Sequence, residues 1–326
     1  MNRSKILGAT ALASLMSAGV AQAEMSVSGY VLGAFADSDG GGVTNYHTSE
    51  TVTVSYSDSL NNGMGLSVAM DITDTLATNV SIDTGSMGKF RVNRVGAAAS
   101  NGNDDILPTA WEEANDQSGH ATRGMDVADA LTSGSLSYIS PTFDMGGGTI
   151  SFTLDYDTAP NVAGGDPGAA VSRASATGSG HAGGLKIVHS GITLAVAHSV
   201  VESEAAAGAN DQQASMGQII YSAGPVAIGY GEWYVDEADG GVDYSASGFG
   251  ISFNVNDDLS VSYGELTDTR EENSSTAALD TDMKSMQVAY SMGSMSIKAK
   301  RVETDNPYHT SSKSEENSEI SLSFSF

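Results

Sequence analysis

The chain has 326 residues, with 38 Gly, 6 Pro and no Cys, and sets 40 acidic residues against 14 Lys and Arg, a formal net charge of −26. So acidic a balance excludes nucleic-acid binding, which needs a basic footprint. The missing Cys excludes a disulfide framework, thiol chemistry and Cys-based metal sites, and the Gly content, with abundant Ser, argues against a helical protein.

Residues 1–23, "MNRSKILGATALASLMSAGVAQA", read as a secretory signal peptide: Arg3 and Lys5, an apolar stretch from Ile6 to Val20, then Ala21-Gln22-Ala23. The alternative is an N-terminal membrane anchor, but the stretch falls short of the roughly 20 residues a spanning helix needs. The remaining chain, 24–326, keeps 12 basic and 40 acidic residues, a net charge of −28.

From there the hydrophobic period is two. Strands are expected at 25–36, 49–59, 63–74, 78–84 and 86–95, then at 132–140, 148–157, 181–189, 191–201, 212–222 and 225–235. Five more follow at 243–256, 258–267, 282–291, 294–304 and 315–326, about sixteen in all. "ETVTVSYSD" sets Val52, Val54 and Tyr56 against Thr51, Thr53 and Ser55, and "TISFTLDYD" sets Ile150, Phe152, Leu154 and Tyr156 against Ser151, Thr153 and Asp155. The last strand, "EISLSFSF", alternates to its final residue.

The connections alternate in length. Tight turns carry Asn, Asp or Gly, which tolerate the positive φ of hairpins, as in Ser190-Gly191 and Asn256-Asp257-Asp258. Long polar connections are expected at 37–48, 96–131, 158–180, 202–211, 236–242, 268–281 and 305–314. One end of the sheet therefore carries tight turns and the other long loops.

One face of these strands is Val, Ile, Leu, Phe, Met and Tyr; the other is small and polar. A sheet with its apolar face in lipid must close, because open edges leave unpaired backbone groups. The fold class read here is all-β: a closed antiparallel transmembrane β-barrel, with short periplasmic turns and long external loops. A barrel of this size leaves an aqueous channel. Tyr56, Tyr138, Tyr156, Tyr221, Tyr230, Tyr263 and Tyr290 fall where interfacial girdles belong, though Tyr is also simply favoured in strands.

With the leader, the strand series, "EISLSFSF" at 319–326 and "TGSMGKFRVNRVG" at 84–96 in hand, the chain resembles the Gram-negative general porins. In style it is most similar to those of alphaproteobacteria, and the resemblance covers 24–326. It implies homotrimers, outer-membrane localisation among lipid and lipopolysaccharide, and passive diffusion of small hydrophilic solutes. It also implies that the barrel-assembly machinery reads the terminal aromatic, Phe326, and that a third external loop folds inward. The chain departs from the pattern in lacking the basic residues for a dense arginine cluster opposite that loop.

Segment 96–131 is too long for an ordinary hairpin loop. It carries Ile106, Leu107, Trp111 and Met125, enough apolar surface to pack inside a barrel. The expectation is a pore constriction with Asp104, Asp105, Glu112, Glu113 and Asp116 setting a preference for cations; the alternative is a solvated external loop. On the wall, parity turns Lys89, Arg91, Lys186, Lys298 and Lys300 inward, since a lipid-facing cation costs ~2–4 kcal/mol at mid-membrane. Arg94 and Arg301 fall on the other parity, which places each near an interface or beyond a bulge.

Acidic stretches at 37–42, 236–243 and 268–273 read as solvated loops, with loosely bound Ca2+ as the other reading. No specific metal site or cofactor is expected. The six His are scattered without metalloprotease spacing, and no nucleophile elbow or phosphate-cradling Gly loop occurs, so no enzyme is expected. The functional reading is a cation-preferring diffusion porin. A substrate-selective porin and a non-channel barrel or adhesin are the alternatives; no internal repeat supports a solenoid.

Overall fold

The computed structural model describes residues 24–39, 44–60, 62–73, 78–93, 98–103, 106–115, 131, 135–158, 177–203, 210–238, 241–273 and 275–326. Residues 1–23, where a signal peptide is expected, and Arg94, Asp104, Asp105 and Asp116 lie outside the described residues.

The strands are β1 (Glu24–Asp39), β2 (Asn45–Ser59), β3 (Gly65–Asp71), β4 (Thr78–Asp83), β5 (Lys89–Asn93), β6 (Leu136–Ile139), β7 (Phe143–Asp144) and β8 (Gly148–Asp157). They continue as β9 (Thr177–His189), β10 (Ile192–Ser203), β11 (Gln212–Ala223), β12 (Val226–Asp236), β13 (Tyr244–Asn254), β14 (Leu259–Arg270), β15 (Leu279–Met292), β16 (Met295–Asp305) and β17 (Ser314–Ser325). Every pairing is antiparallel and, apart from β6 with β8, joins neighbours in the chain, and β17 pairs with β1 to close the cylinder. β6 and β7 both pair with β8 and form one stave, broken at Pro141, which has no N–H to give the ladder. Ser140 bridges the break, its hydroxyl accepting from Phe152 N at 2.8 Å. The barrel thus has sixteen staves, the number expected from the alternation. No described helix is long and apolar enough to cross a membrane.

At the tight-turn end, Ser190 and Gly191 have φ of 50° and 82°, the two left-handed residues a two-residue hairpin needs. Some boundaries move. β2 starts at Asn45 rather than 49 and β9 at Thr177 rather than 181. These added residues are polar or Gly and show no alternation of their own; their partners' ladders hold them extended, and Phe35 against Tyr46 (centroids 4.9 Å apart) fastens the β1–β2 end. The walls are unequal: β3 to β6 have 7, 6, 5 and 4 residues, whereas β9 to β17 have 11 to 14.

One expectation needs correction. The small polar inner face holds only for the tight-turn half of β11 to β16. Toward the long-loop end the two faces exchange character with no break in register. On β12, Val226, Ile228 and Tyr230 point outward, but then Glu232 is outward and Trp233 and Val235 are buried inside. On β14, Val261 and Tyr263 are followed by outward Glu265 and inward Leu266; on β16, Ile297 is followed by outward Arg301 and inward Val302. Arg301 therefore faces outward beyond the apolar belt, ion-paired with Glu303 (3.1 Å) and Glu316 (2.6 Å), with no bulge at its position. The inward apolar residues need a partner inside the barrel, and segment 98–115 supplies it.

Candidate pore constriction

Residues 98–103 and 106–115 touch inward-pointing groups on β8, β9 and β11 to β16. A segment this short can reach so wide an arc of a closed sheet only from the concave side. Ala98, Ile106, Leu107 and Ala114 join a cluster with Met216, Trp233, Val235, Leu266, Met283 and Val302. This is a small apolar core inside a channel wall, and burying it holds the segment against the sheet.

Polar pegs fix both ends. At the first, the buried Asp155 carboxylate on β8 accepts from Ala99 N and Ser100 N, both at 2.8 Å, and from the Ser100 and Ser137 hydroxyls, both at 2.5 Å. Bonds to an ionised acceptor are stronger than neutral ones. At the second, Gln287 on β15 takes Trp111 N (2.9 Å), Glu112 N (3.0 Å) and the Thr109 hydroxyl (2.8 Å) on its amide oxygen, and its NH2 donates to Glu112 O at 2.5 Å. Ser262 accepts from Ala110 N at 2.8 Å, and Gln218 donates to Asn103 O at 2.9 Å. Between the pegs, wall glycines allow close approach. A Cβ on Gly229 would stand 2.6 Å from Pro108 Cδ, and one on Gly250 would stand 2.8 Å from Pro108 O.

Of the loop acids singled out by sequence, two are described. Glu112 forms an ion pair with Lys300, whose side chain is 7% exposed and lies 3.4 Å from Glu319 on β17 as well. The Trp111 ring sits 4.9 Å from Lys300 Nζ and 5.9 Å from Lys298 Nζ, a cation–π arrangement on the pore side of β16. Glu113 borders a cavity of about 30 Å³ with Leu266 and Ser285, between segment and wall. Glu112 and Glu113 thus sit together.

The wall cations do not form one cluster. Lys298 and Lys300 lie on β16. Lys89 and Arg91 lie on β5, across from Asp83 and Ser81. Lys186 lies alone on β9, between Ser151 and Ala195. On β5, Lys89 and Arg91 alternate with outward Phe90 and Val92, which are 44% and 53% exposed. Facing the segment, β17 and β1 to β4 present no inward Lys or Arg among the described residues. Their inward groups include Ser26, Ser28, Thr51, Thr53, Ser55, Ser321 and Ser323, with Tyr30, His47, Asp71, Asp83 and Glu319. The described residues gather no group of three or more His, Asp or Glu suited to a metal ion.

Sequence reasoning missed Asp155, Gln287 and the packing glycines. Asp155 and Gln287 are inward by parity, and a Gly at an inward mid-strand position signals close backbone approach; those were the available signs.

A closed sixteen-stave barrel with an apolar belt outside and a chain segment packed into its lumen is the architecture of an outer-membrane diffusion channel. The sequence matches the Gram-negative porin family model over residues 8–325, and the chain belongs to that family. It is a protein of the bacterial outer membrane, its tight turns periplasmic and its long loops external. A porin structure refined at 1.8 Å is similar at 15% identity and TM-score 0.67, over 93% of this chain and 100% of that one. An anion-selective porin from Comamonas acidovorans matches at 12% identity and TM-score 0.69, over 94% and 100%. OmpT of Vibrio cholerae in a trimer form matches at 13% identity and TM-score 0.64, over 93% and 99%. At such identities the likeness shows the fold alone. No curated protein sequence matches the chain.

Proposed function

We propose that this porin is a passive channel for ions and small hydrophilic solutes, cation-preferring, and assembled as a homotrimer. The observation that carries the reading is the segment 98–115 pegged across the lumen from β8 to β16, opposite a hydroxyl-lined wall. Cation preference is supported by the charge inventory. Lys300 is matched by Glu112 and Glu319, and Asp83 stands across from Lys89, while Asp71 faces the lumen across from Thr53 at the end of β3, with no inward Lys or Arg on β1 to β4 among the described residues. Lumenal carboxylates favour cations.

Reversal potentials in a KCl gradient across a planar bilayer test this. Cation preference predicts a permeability ratio above unity that falls when Asp104, Asp105, Glu112, Glu113 and Asp116 are neutralised together. An unchanged ratio and conductance would remove the segment's acids from the filter.

The trimer reading is supported by the short staves β3 to β6. Their outward residues Leu66, Val68, Met70, Val80, Ile82, Phe90 and Val92 form an apolar face without the polar zone that tops β11 to β16. A relative is known in a trimer form. Chemical cross-linking in the native membrane checks it. A solute-selective track is the second reading, favoured by the hydroxyl wall; sugars added during recording would block current only in that case.

A further inference from the structure

We propose that the vestibule on the periplasmic side of the segment, between Lys298 and the turn 256–258, is a binding subsite for small zwitterions, of which a free amino acid is the simplest. This rests on the reading of the lumen as a solute path, and not on ion preference or trimer assembly.

Direct pairing puts Asn254, Ser260, Ala289 and Lys298 at one level of the wall, from β13 to β16. Alternation with the exposed, outward Phe253, Val261, Val288 and Ile297 turns all four into the lumen. Together with Ser296 and the turn 256–258 they line a cavity of about 580 Å³. That volume is in the range of small-ligand sites, ~300–1,000 Å³. Ala110 of the inward segment roofs it, held by its N–H donating to Ser262 at 2.8 Å. The opposite rim is ordered as well. Asn256 Oδ1 accepts from Asp258 N and Leu259 N, both at 2.9 Å, and Ser291 N donates to Asp258 O at 2.8 Å.

The charges at the two ends of this cavity are unmatched. One level up, Lys300 pairs with Glu112 and Glu319. Lys298 has no ion-pair partner among the described residues. Its ammonium lies 5.9 Å from the Trp111 ring, a contact that attracts the cation without neutralising it. Asp257 and Asp258 have no ion-pair partner among the described residues either. The β14 and β16 backbones are roughly 10 Å apart at ~4.8 Å per strand, and the flexible Lys stem covers part of that span. A lone anion in this space is drawn to Lys298 and repelled by the two acids; a lone cation meets the reverse. A zwitterion satisfies both ends, its carboxylate on Lys298 and its ammonium on Asp257 or Asp258, with Ser260 and Asn254 to hydrogen-bond between them.

The test is saturation-transfer NMR of L-alanine, propionate and ethylamine over the detergent-solubilised protein, three solutes that each carry one methyl and differ in charge. The wild type is expected to bind alanine more tightly than either singly charged solute. Lys298→Gln removes the cation and keeps a polar side chain. It is expected to weaken alanine about threefold, the size of an exposed ion pair, and to raise ethylamine above it. Asp257→Asn combined with Asp258→Asn is expected to weaken alanine by a similar factor and to raise propionate above it. Heat-modifiable gel mobility reports the folding of each variant, and single-channel conductance reports the channel separately.

A wild type that binds propionate or ethylamine as tightly as alanine would overturn the zwitterion as ligand. Unchanged alanine binding in both folded variants would overturn the vestibule as its place. Loss of all three solutes from a folded variant, with no exchange of preference, would overturn the charge contacts. A conducting barrel that fails the ranking overturns the subsite alone, whereas a silent barrel that keeps it supports the subsite and overturns the channel reading.

Discussion

Gly29 and Phe326 exchange both backbone hydrogen bonds, each 3.0 Å long, so the final residue is the last rung of the seam between β17 and β1. The Phe326 ring also lies 3.0 Å from where a Cβ on Gly29 would stand. Deleting Phe326 removes both bonds, at a net cost of about 1–3 kcal/mol, and exposes an unpaired strand end. We expect a clear drop in the folded, heat-modifiable fraction recovered from the outer membrane. Phe326→Ala keeps the rung and loses the ring; a defect as large as the deletion's would assign the effect to the aromatic, the part that the assembly machinery is expected to read.

Asp155 holds the start of the inward segment through three bonds, with a fourth from Ser137 on β6. Asp155→Asn keeps the shape but removes the charge and two acceptor sites, since one side of the amide can only donate. The expected result is a noisier single-channel current of higher mean conductance, with strand content unchanged by circular dichroism. Gly229→Val should act the same way by a different route, because its side chain would occupy the place of Pro108. Quiet, wild-type currents from both variants would mean that the segment does not narrow the pore.

Lys300 balances Glu112 and Glu319. Lys300→Met would remove the cation that these two carboxylates share in a half-buried place, and breaking such a pair costs about 3–5 kcal/mol where burial is complete, less here. The reversal potential in a KCl gradient should shift toward stronger cation preference. A shift toward anions would contradict the assignment of Glu112 to the pore.

His309, in the external turn Pro307–His309 between β16 and β17, is the group expected to make that turn acid-sensitive. Burial lowers its pKa below the ordinary 6.5, against the effect of its contact with the Asp268 carbonyl at 3.1 Å, and Arg270 lowers it further. Asp268 Oδ2 lies 3.5 Å from Nε2, yet burial outweighs it. The folded value is below the unfolded one, so the unfolded chain binds the proton first and stability rises with pH. The neutral ring's contribution is complete above about 6.5 and is lost as the pH falls below that toward the folded value. Protection factors for hydrogen exchange of residues 305–314, taken against the intrinsic rate at each pH, should fall between pH 7 and pH 5, and His309→Gln should abolish that fall.

Strand number and closure were legible in the sequence. Each follows from the strict two-residue alternation of a sheet, a local property that neighbouring residues write for themselves. Val52-x-Val54-x-Tyr56 already states which side meets lipid, and Ile320-x-Leu322-x-Phe324 states that the tail is a stave. The ends of β2 and β9 were not legible, because polar and Gly residues take extended form only when a partner's ladder holds them.

The exchange of faces at Glu232–Trp233, at Glu265–Leu266 and at Arg301–Val302 was decided by tertiary structure alone. In sequence it looks like a change of parity, which a bulge would also produce; only the continuous register shows that the surroundings change instead. Outside, lipid ends and headgroups begin. Inside, water ends and the segment 98–115 begins. The pegs at Asp155 and Gln287 belong to the same category, since each joins residues far apart in the chain that no local pattern relates.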